Sequence, residues 1–329
     1  MATFTREQVL TLLQECGVKS GDTLLVHSAL LSFGLPSDPL FDLDGYWYDI
    51  LRTAVGPTGT LVFPAFSYSY CKKQCFDVLK TMSTVSTLSN YLLRDNLALR
   101  EQDVSGKESQ SKATAYTSSM RSGKTALYRT LDPIFSYLID TPQAPTQLFS
   151  NVCFDYGANS ICDFLLKQKA RYLMLGPWLY FTLMHCVEQD MQTPNRFLKP
   201  FAGTMVIGDS AYNSTQYFYC RYNVPATTIK ANKVDDLVAA EVAEGIATLK
   251  PLGNNRVLSI LVQDNLDFYR KLLQANPWYL SQGPAQTREQ MEAQAPDLYH
   301  QEVHRAYYPA IALRTLKPAT EGPLPDKAE

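Results

Sequence analysis

Short apolar runs alternate with amphipathic segments along most of the chain. Continuous apolar runs behind turn residues predict buried β-strands at 23–28, 60–64, 170–176 and 256–263. Apolar residues at helical spacing predict helices near the N-terminus and at 42–55, 159–168, 185–192 and 233–247. Residues 201–223 alternate in polarity, which indicates a β-hairpin or meander. This alternation of helices with buried strands predicts an α/β fold.

A polar stretch interrupts the pattern at residues 96–126, where Ser, Lys and Thr replace large aliphatic residues. It predicts either a mobile surface excursion or a lid over a site, and a disordered insertion without a role is the alternative. The segment after Lys317 is rich in proline and charge, so residues 318–329 are predicted to be a disordered tail. Residues 1–317 are interpreted as one α/β domain, within which two subdomains are an alternative.

Composition and charge narrow the class of protein. The 329 residues are 46% hydrophobic, which is enough for a large core, and the formal net charge of −2 argues against a nucleic-acid partner. No apolar run approaches the roughly 20 residues that a membrane helix needs, and the N-terminus is amphipathic, unlike a signal peptide. Seven scattered cysteines in a long chain indicate reduced thiols and a cytoplasmic protein. The oligomeric state stays open.

One histidine has a carboxylate at helical spacing. His185 and Glu188 are three residues apart in TLMHCVEQD, so a helix places them on one face. A carboxylate that orients an imidazole is the arrangement a general base needs. A purely structural pair is the alternative, and a hydrolytic zinc site would need a third ligand. Because HExxH is absent, no metal is predicted.

A second group of polar residues follows the first predicted strand. His27 and Ser28 end that strand, and Ser32 follows in HSALLSFG. Strand ends in open α/β sheets face ligand crevices, where hydroxyl and backbone N–H groups can bind phosphate or carbonyl oxygen. An ordinary strand-to-helix turn is the alternative. The chain contains no GxGxxG, Walker or GxSxG motif, so NAD, ATP and serine-hydrolase chemistry have no support.

Four segments, in order, resemble the aminoglycoside 3-N-acetyltransferase family. They are GDTLLVHSALLSFG, VGPTGTLVFPAFSYS, TLDPIFSYL and LMLGPWLYFTLMHCVEQD, and the similar region runs from about residue 3 to 280. The resemblance implies a mixed central β-sheet flanked by helices. It also implies an N-acyltransferase that uses acetyl-CoA or another acyl-CoA as co-substrate.

The resemblance also assigns roles to individual residues. It implies His185 as the general base, Glu188 as the residue that orients it, and Asp132 as a catalytic-site carboxylate that binds the amine or a sugar hydroxyl. Coenzyme A contacts are implied for His27, Ser28, Ala29, Leu31, Ser32, Phe33 and Ser83. Substrate contacts are implied for Tyr68, Asp77, Arg129, Ser136 and Arg196, with Ser136 and the backbone near Ser28 as donors to the oxyanion.

Departures from the antibiotic-modifying members indicate a different branch. Asp132 stands where those members have histidine, and Phe135 stands where many have a second histidine. Ser83 matches the serine of an S-x-x-G segment in that other branch, but Ser86 replaces the glycine of the segment. The sequence here resembles proteins tied to surface-polysaccharide sugars such as lipopolysaccharide O-antigen, including the N-acyltransferase of anthrose biosynthesis. We therefore expect a nucleotide-linked amino deoxysugar as acceptor, with Arg129, Arg196 and Lys199 near its diphosphate.

Other readings of the same resemblance stay open. Aminoglycoside antibiotic acetylation, which confers resistance, is one alternative acceptor choice, and a non-catalytic binding protein on the same fold is another. Direct transfer from acyl-CoA is favoured over an acyl-enzyme on Ser83, because the sequence shows no base beside that serine.

Overall fold

The computed structural model describes residues 3–40, 42–104, 120–121, 125–143, 145, 150–177, 181–294 and 317–318. Twelve β-strands occur in these ranges: β1 (Thr23–Ser28), β2 (Thr60–Pro64), β3 (Phe76–Asp77), β4 (Met120–Arg121), β5 (Thr125–Arg129), β6 (Tyr137–Thr141), β7 (Arg171–Leu175), β8 (Arg196–Ile207), β9 (Ser210–Arg221), β10 (Ala247–Leu252), β11 (Asn255–Leu261) and β12 (Lys317–Pro318). The α-helices are α1 (Arg6–Glu15), α2 (Leu43–Val55), α3 (Thr87–Val104), α4 (Ile161–Lys167), α5 (Met184–Asp190), α6 (Ala231–Ala243), α7 (Val262–Ala275) and α8 (Arg288–Gln294).

A mixed eight-stranded sheet organises the chain, in the order β10-β11-β7-β1-β2-β6-β5-β4. Its three central strands are parallel, because β1 pairs in parallel with both β7 and β2. Antiparallel strands extend the sheet on both sides. The carboxyl ends of the three parallel strands meet at one edge, which is where open α/β sheets bind ligands.

Helices pack on both faces of this sheet. Because successive residues of a strand point to opposite faces, each strand contributes apolar side chains to both. Leu24 and Val26 of β1 pack with residues of α1, α2 and α3, including Trp47. Leu25, between them, joins the opposite cluster, in which α4, α5, α6 and α7 contribute residues such as Tyr269. The runs predicted as buried strands carry apolar residues at consecutive positions because helices cover both faces of the sheet.

A long hairpin of β8 and β9 forms a second sheet, with β3 parallel to β8 and β12 antiparallel to β9. Phe218 of β9 packs against Phe135 with ring centroids 4.7 Å apart, so the hairpin lies against the face of the main sheet that carries α5. This hairpin is the alternating segment predicted at 201–223, extended at its start to Arg196.

Several boundaries agree with the sequence-based predictions, and one does not. The strands at 23–28 and 60–64 and the helix from Leu43 to Val55 are confirmed. The polar excursion predicted at 96–126 begins later, because α3 continues to Val104 through Leu, Ala, Arg, Glu and Gln, which are strong helix formers. Its last part is strand, since β5 begins at Thr125.

Two segments that were predicted to be irregular, the excursion and the C-terminal tail, lie largely outside the described residues. Residues 105–119 and 122–124 of the predicted excursion are not among them, so its role as a lid stays a prediction. The same holds for residues 319–329 of the predicted tail, whereas Pro318 pairs with Tyr212 in β12. No helix in the described part of the chain combines the length and apolarity that crossing a bilayer needs.

Candidate active site

A cavity of about 800 Å³ opens at the carboxyl edge of the parallel strands. Most of its lining comes from four structural parts: the end of β1 with the loop that follows, the segment that leads into α3, a cluster of aromatic residues, and the start of α5. Arg196, Ile229, Val234 and Leu280 complete the lining. The cavity thus brings together segments that are up to about 250 residues apart in sequence, from Val26 to Leu280, and it is lined by His27, Ser83 and His185.

His185 is held by a buried carboxylate within this cavity. Its Nδ1 lies 2.6 Å from Glu188 Oε2 across one turn of α5. The same oxygen forms an ion pair with Arg196 Nη2 of β8 at 2.9 Å. The hydroxyl of Tyr269 donates to Glu188 Oε1 at 3.1 Å. Every partner of Glu188 is a donor, so the carboxylate is fixed in its ionised form and fixes the imidazole in turn.

The pKa values of the pair follow from these contacts. Burial alone would raise the pKa of Glu188, but Arg196 and His185 outweigh it and hold that pKa at about 2. Burial and the charge of Arg196 lower the pKa of His185, and the attraction of Glu188 offsets this only in part. His185 is therefore neutral at pH 7. With Nδ1–H donated to Glu188, its Nε2 carries the lone pair that a general base uses.

A second polar chain reaches the cavity from the interior of the sheet. The hydroxyl of Thr182 lies 3.4 Å from His27 Nε2 and 3.1 Å from the hydroxyl of Tyr137. Burial lowers the pKa of His27 to about 4, so this ring is neutral at pH 7 and interacts with Thr182 through a hydrogen bond without a charge. The backbone N–H of Leu183 donates to the buried hydroxyl of Tyr172 at 2.9 Å, which fixes the turn that carries Thr182. Thr182 was not predicted from the sequence, because a single threonine in a turn belongs to no motif.

The loop after β1 is positioned by the strand beside it. The backbone N–H of Ala29 donates to Leu175 O of β7 at 2.7 Å, and that of Ser32 donates to Ala29 O at 3.0 Å. Gly176 follows β7 with φ +129°, and a Cβ there would lie 3.0 Å from the Cβ of Ala29 and 3.1 Å from Ser32 Oγ. The close approach of the loop after β1 therefore requires glycine at position 176. That loop presents Ser28, Ala29, Leu31 and Ser32 to the cavity.

Ser83 and Ser86 begin the opposite wall. Ser83 Oγ accepts from the N–H groups of Val85 and Ser86, each at 3.2 Å. Ser86 Oγ accepts from the N–H of Ser89 at 3.0 Å, so the serine that replaces glycine caps α3. Among the described residues no base contacts Ser83, and its hydroxyl serves the local turn.

Two arginines that were predicted to contact the substrate bind other groups of the protein. Arg129 is 1% exposed, and its guanidinium donates to the carbonyl oxygens of Val78, Thr81 and Ala65. Burial lowers its pKa to about 9. Arg129 therefore does not line the cavity and stabilises the loop between β3 and α3 instead. Arg196 does line the cavity, but its ion pair with Glu188 uses its charge.

Two predicted oxygen contacts also have structural roles. Asp132 Oδ1 accepts from the N–H groups of Ile134 and Phe135 at 2.8 and 2.9 Å, which closes the turn before β6. Ser136 Oγ donates to Ala65 O at 2.8 Å and accepts from Arg129 Nε. Neither Asp132 nor Ser136 lines the large cavity, because the turn directs them behind Phe135.

The remaining predictions divide in the same way. Tyr68 lines the cavity, whereas Asp77 caps the turn after β3 by accepting from the N–H groups of Leu79 and Lys80. Phe33 is buried against Phe4 and Trp47 on the other side of the sheet. Within the described ranges, no three His, Cys, Asp or Glu side chains are grouped to hold a metal ion.

Comparisons with known proteins agree with this architecture. The sequence model of a family described as Aminoglycoside 3-N-acetyltransferase matches residues 25–274, about three quarters of the chain. No curated protein matches. Among solved structures, aminoglycoside acetyltransferase AAC(3)-IVa is similar at 18% identity and a TM-score of 0.61, over 89% of this chain and 98% of that one. AAC-IIIb, solved with CoASH, has 17% identity and a TM-score of 0.61 over 87% and 100%. YokD from Bacillus subtilis has 14% identity and a TM-score of 0.55 over 83% and 100%.

Proposed function

The chain belongs to the aminoglycoside 3-N-acetyltransferase family and is an N-acyltransferase enzyme, and from that premise we propose that it moves an acyl group directly from acyl-CoA to the amine of an amino sugar. The observation that carries the proposal is His185, whose Nδ1 is 2.6 Å from Glu188 while the ring lines a cavity of about 800 Å³. Seven free thiols support a reducing, cytoplasmic setting.

The cavity walls suit coenzyme A as co-substrate. Hydroxyl groups of Ser28, Ser32 and Ser86 suit the amides of the pantetheine arm. Thr87, the first residue of the 18-residue helix α3, also lines the cavity, so the positive end of that helix is available to a phosphate. Buried Ser32 Oγ has no hydrogen-bond partner among the described residues, as expected of a group that awaits a ligand.

The residues around His185 suggest how transfer proceeds. His185 Nε2 takes a proton from the acceptor amine as the amine nitrogen forms a bond to the thioester carbonyl carbon. The C–S bond then breaks and the thiolate leaves. We propose that the hydroxyl of Thr182, which lines the cavity, donates to the carbonyl oxygen, which becomes negative in the transition state. Glu188 stays ionised and stabilises the imidazolium of His185 until the imidazolium releases its proton.

Direct transfer is supported over an acyl-enzyme on Ser83. That hydroxyl accepts two backbone N–H groups, and no described imidazole, amine or carboxylate is in hydrogen-bond contact with it. A serine nucleophile needs such a base to remove its proton. We propose that Ser83 contacts coenzyme A.

The charge of the cavity bears on the acceptor. Glu188 and Arg196 are the charged side chains among the described lining residues, and they neutralise one another. An aminoglycoside carries several ammonium groups and would gain from further carboxylates. A neutral cavity supports an acceptor with one amine. We therefore propose an amino deoxysugar, in the surface-polysaccharide branch that the sequence resembles.

A nucleotide on that sugar needs a cation for its diphosphate. With Arg129 and Arg196 engaged, the candidate is Arg221, which pairs with Arg196 across the hairpin. Arg221 is half-buried and, within the described structure, makes no ion pair. Burial and, after it, the charge of Arg196 lower the pKa of Arg221, so a bound anion would stabilise the charged guanidinium. Aminoglycoside acetylation is the second candidate, favoured by the family's characteristic activity and the shared fold.

The test is a panel of acceptors with thiol release as readout. Purified protein is incubated with acyl-CoA and either kanamycin or a nucleotide-linked 3-amino or 4-amino deoxysugar. We expect faster thiol release with the sugar nucleotide, and loss of release in His185→Gln by the roughly 10²–10⁴-fold typical of a missing general base. Near-normal turnover of His185→Gln would refute the base, and preference for kanamycin would favour drug modification.

Inhibition by free nucleoside diphosphate tests the finer assignment. We expect inhibition that weakens with salt and that is reduced roughly tenfold or more in Arg221→Met, as for loss of a charge-assisted contact. Neither Arg221 nor Arg256 is itself a lining residue, but Arg221 is the strand partner of Arg196, which is one. Arg256→Met is the matched control, because Arg256 pairs with Asp235 and its strand partner Pro251 does not line the cavity. Equal inhibition of both variants would remove Arg221 from the site.

A further inference from the structure

The wall of the cavity is divided by chemistry. Hydroxyl and amide side chains are concentrated on the loop after β1 and on the segment that leads into α3, where Ser32, Thr84 and Asn90 are examples. The lining around His185 includes Thr182, Glu188 and Arg196, and also aromatic residues and a methionine that form an apolar part. One cavity therefore offers a polar part and an apolar part, and His185 borders the apolar one.

The apolar part is a connected set of rings, which we call the aromatic wall: Phe66, Tyr68, Phe135 and Phe154. Phe66 and Tyr68 contact Phe135 with centroid distances of 5.1 and 5.2 Å, and Phe135 contacts Phe154 at 4.6 Å. Phe154 in turn lies 5.1 Å from the ring of His185. The three phenylalanines are nearly buried yet line the cavity, so they face a ligand more than they face bulk water.

The backbone supports this placement at two points. Tyr68 and Phe154 have φ values of 57° and 58°, in the left-handed region that bulky residues avoid. Such a conformation is sterically unfavourable for a residue with a side chain, and residues that retain it cluster at functional sites. The fold thus holds two rings of the aromatic wall in orientations that local preference disfavours.

From these observations we propose that the aromatic wall receives the acyl group, and that the enzyme prefers acyl-CoA donors whose acyl chain is apolar and longer than acetyl. The inference rests on the proposed function. The carbonyl carbon must lie within bonding reach of the amine that His185 deprotonates, so the chain attached to that carbon extends beside Phe154. An acetyl methyl group would leave most of the wall in contact with solvent.

A donor series with one acceptor tests the proposal on the unmodified enzyme. Acetyl-, propionyl- and butyryl-CoA are compared by kcat/KM, with the best amine of the acceptor panel. Burial of each added methylene is worth about a fourfold gain, so we expect butyryl-CoA to exceed acetyl-CoA by roughly 15-fold. A flat series, or a preference for acetyl-CoA, overturns the proposal. A flat donor series with a strong response to apolar groups on the acceptor would assign the wall to the acceptor instead.

Variants of Phe135 test whether the wall itself sets the preference. Phe135→Trp fills the space and should reduce the ratio of butyryl to acetyl transfer to about one, whereas Phe135→Leu should keep or increase it. Phe201→Trp is the matched control, because Phe201 lies on the hairpin outside the cavity and should leave the ratio unchanged. An unchanged ratio in Phe135→Trp overturns the assignment. Absence of transfer from every donor would instead refute the proposed function.

Discussion

Replacing Arg196 by methionine tests the electrostatic core of the site. Arg196 and Glu188 form an ion pair with side chains that are 6% and 5% exposed. Burial raises the pKa of Glu188, but Arg196, together with His185 and Tyr269, outweighs burial and holds that pKa at about 2, compared with 4.5 for an ordinary glutamate. That difference corresponds to about 3 kcal/mol of native-state stability. Because the pKa is lower in the folded protein, this stability is present above pH 4.5 and is lost as the pH falls towards 2.

Arg196→Met removes the partner and leaves Glu188 buried beside His185. We expect a loss of about 3–5 kcal/mol at pH 7, which is typical when one member of a buried pair is removed. Urea denaturation at pH 7 and pH 3 measures it, and the difference from the unmodified protein should narrow at the lower pH. Arg270→Met is the matched control, because Arg270 pairs with Asp190 of the helix that carries Glu188, but these side chains are 32% and 48% exposed. Such pairs contribute at most about 1 kcal/mol.

The same substitution has a kinetic consequence. Burial and Arg196 are the two largest causes of the low pKa of His185, so removal of Arg196 should raise that pKa. The acid limb of kcat/KM should then move to higher pH in Arg196→Met and stay in place in Arg270→Met. If Arg196→Met is as stable as Arg270→Met and its acid limb does not move, the electrostatic description of the site is wrong.

Three further predictions address other residues. The acid limb of kcat/KM should lie below pH 6.5 and disappear in His185→Gln but persist in His27→Asn, since the pKa of His27 is already about 4; a limb that disappears only in His27→Asn would reverse the roles. Burial raises the pKa of Glu241 to about 7, so its contribution to stability is present below pH 4.5 and is lost as the pH rises through 7; Glu241→Gln should be more stable than the unmodified protein at pH 8, by up to about 3 kcal/mol, and equal urea midpoints would contradict this. Ser83→Ala should keep turnover within roughly tenfold, whereas Thr182→Val should lose roughly 10²-fold in kcat as an oxyanion donor does; an acyl adduct on Ser83 by mass spectrometry would contradict direct transfer.

Local sequence determined much of the scaffold around the site. The runs that became β1 and β2 are apolar at consecutive positions, and α2 lies where helical spacing placed it. The pairing of His185 with Glu188 was also predictable, because a separation of three residues fixes two side chains on one face of a helix. These features depend on residues close in sequence, so periodicity and spacing were sufficient to predict them.

The chemical state of the site was decided by tertiary structure. Arg196 reaches Glu188 only because the hairpin packs beside α5, and the ring of Phe154 reaches His185 through a backbone with positive φ. Sequence could not distinguish Arg196, which enters the cavity, from Arg129, which turns inward to three carbonyl groups. Both are arginines near a motif. Which one meets the substrate depends on the direction of each side chain relative to the sheet, and packing between distant segments sets that direction.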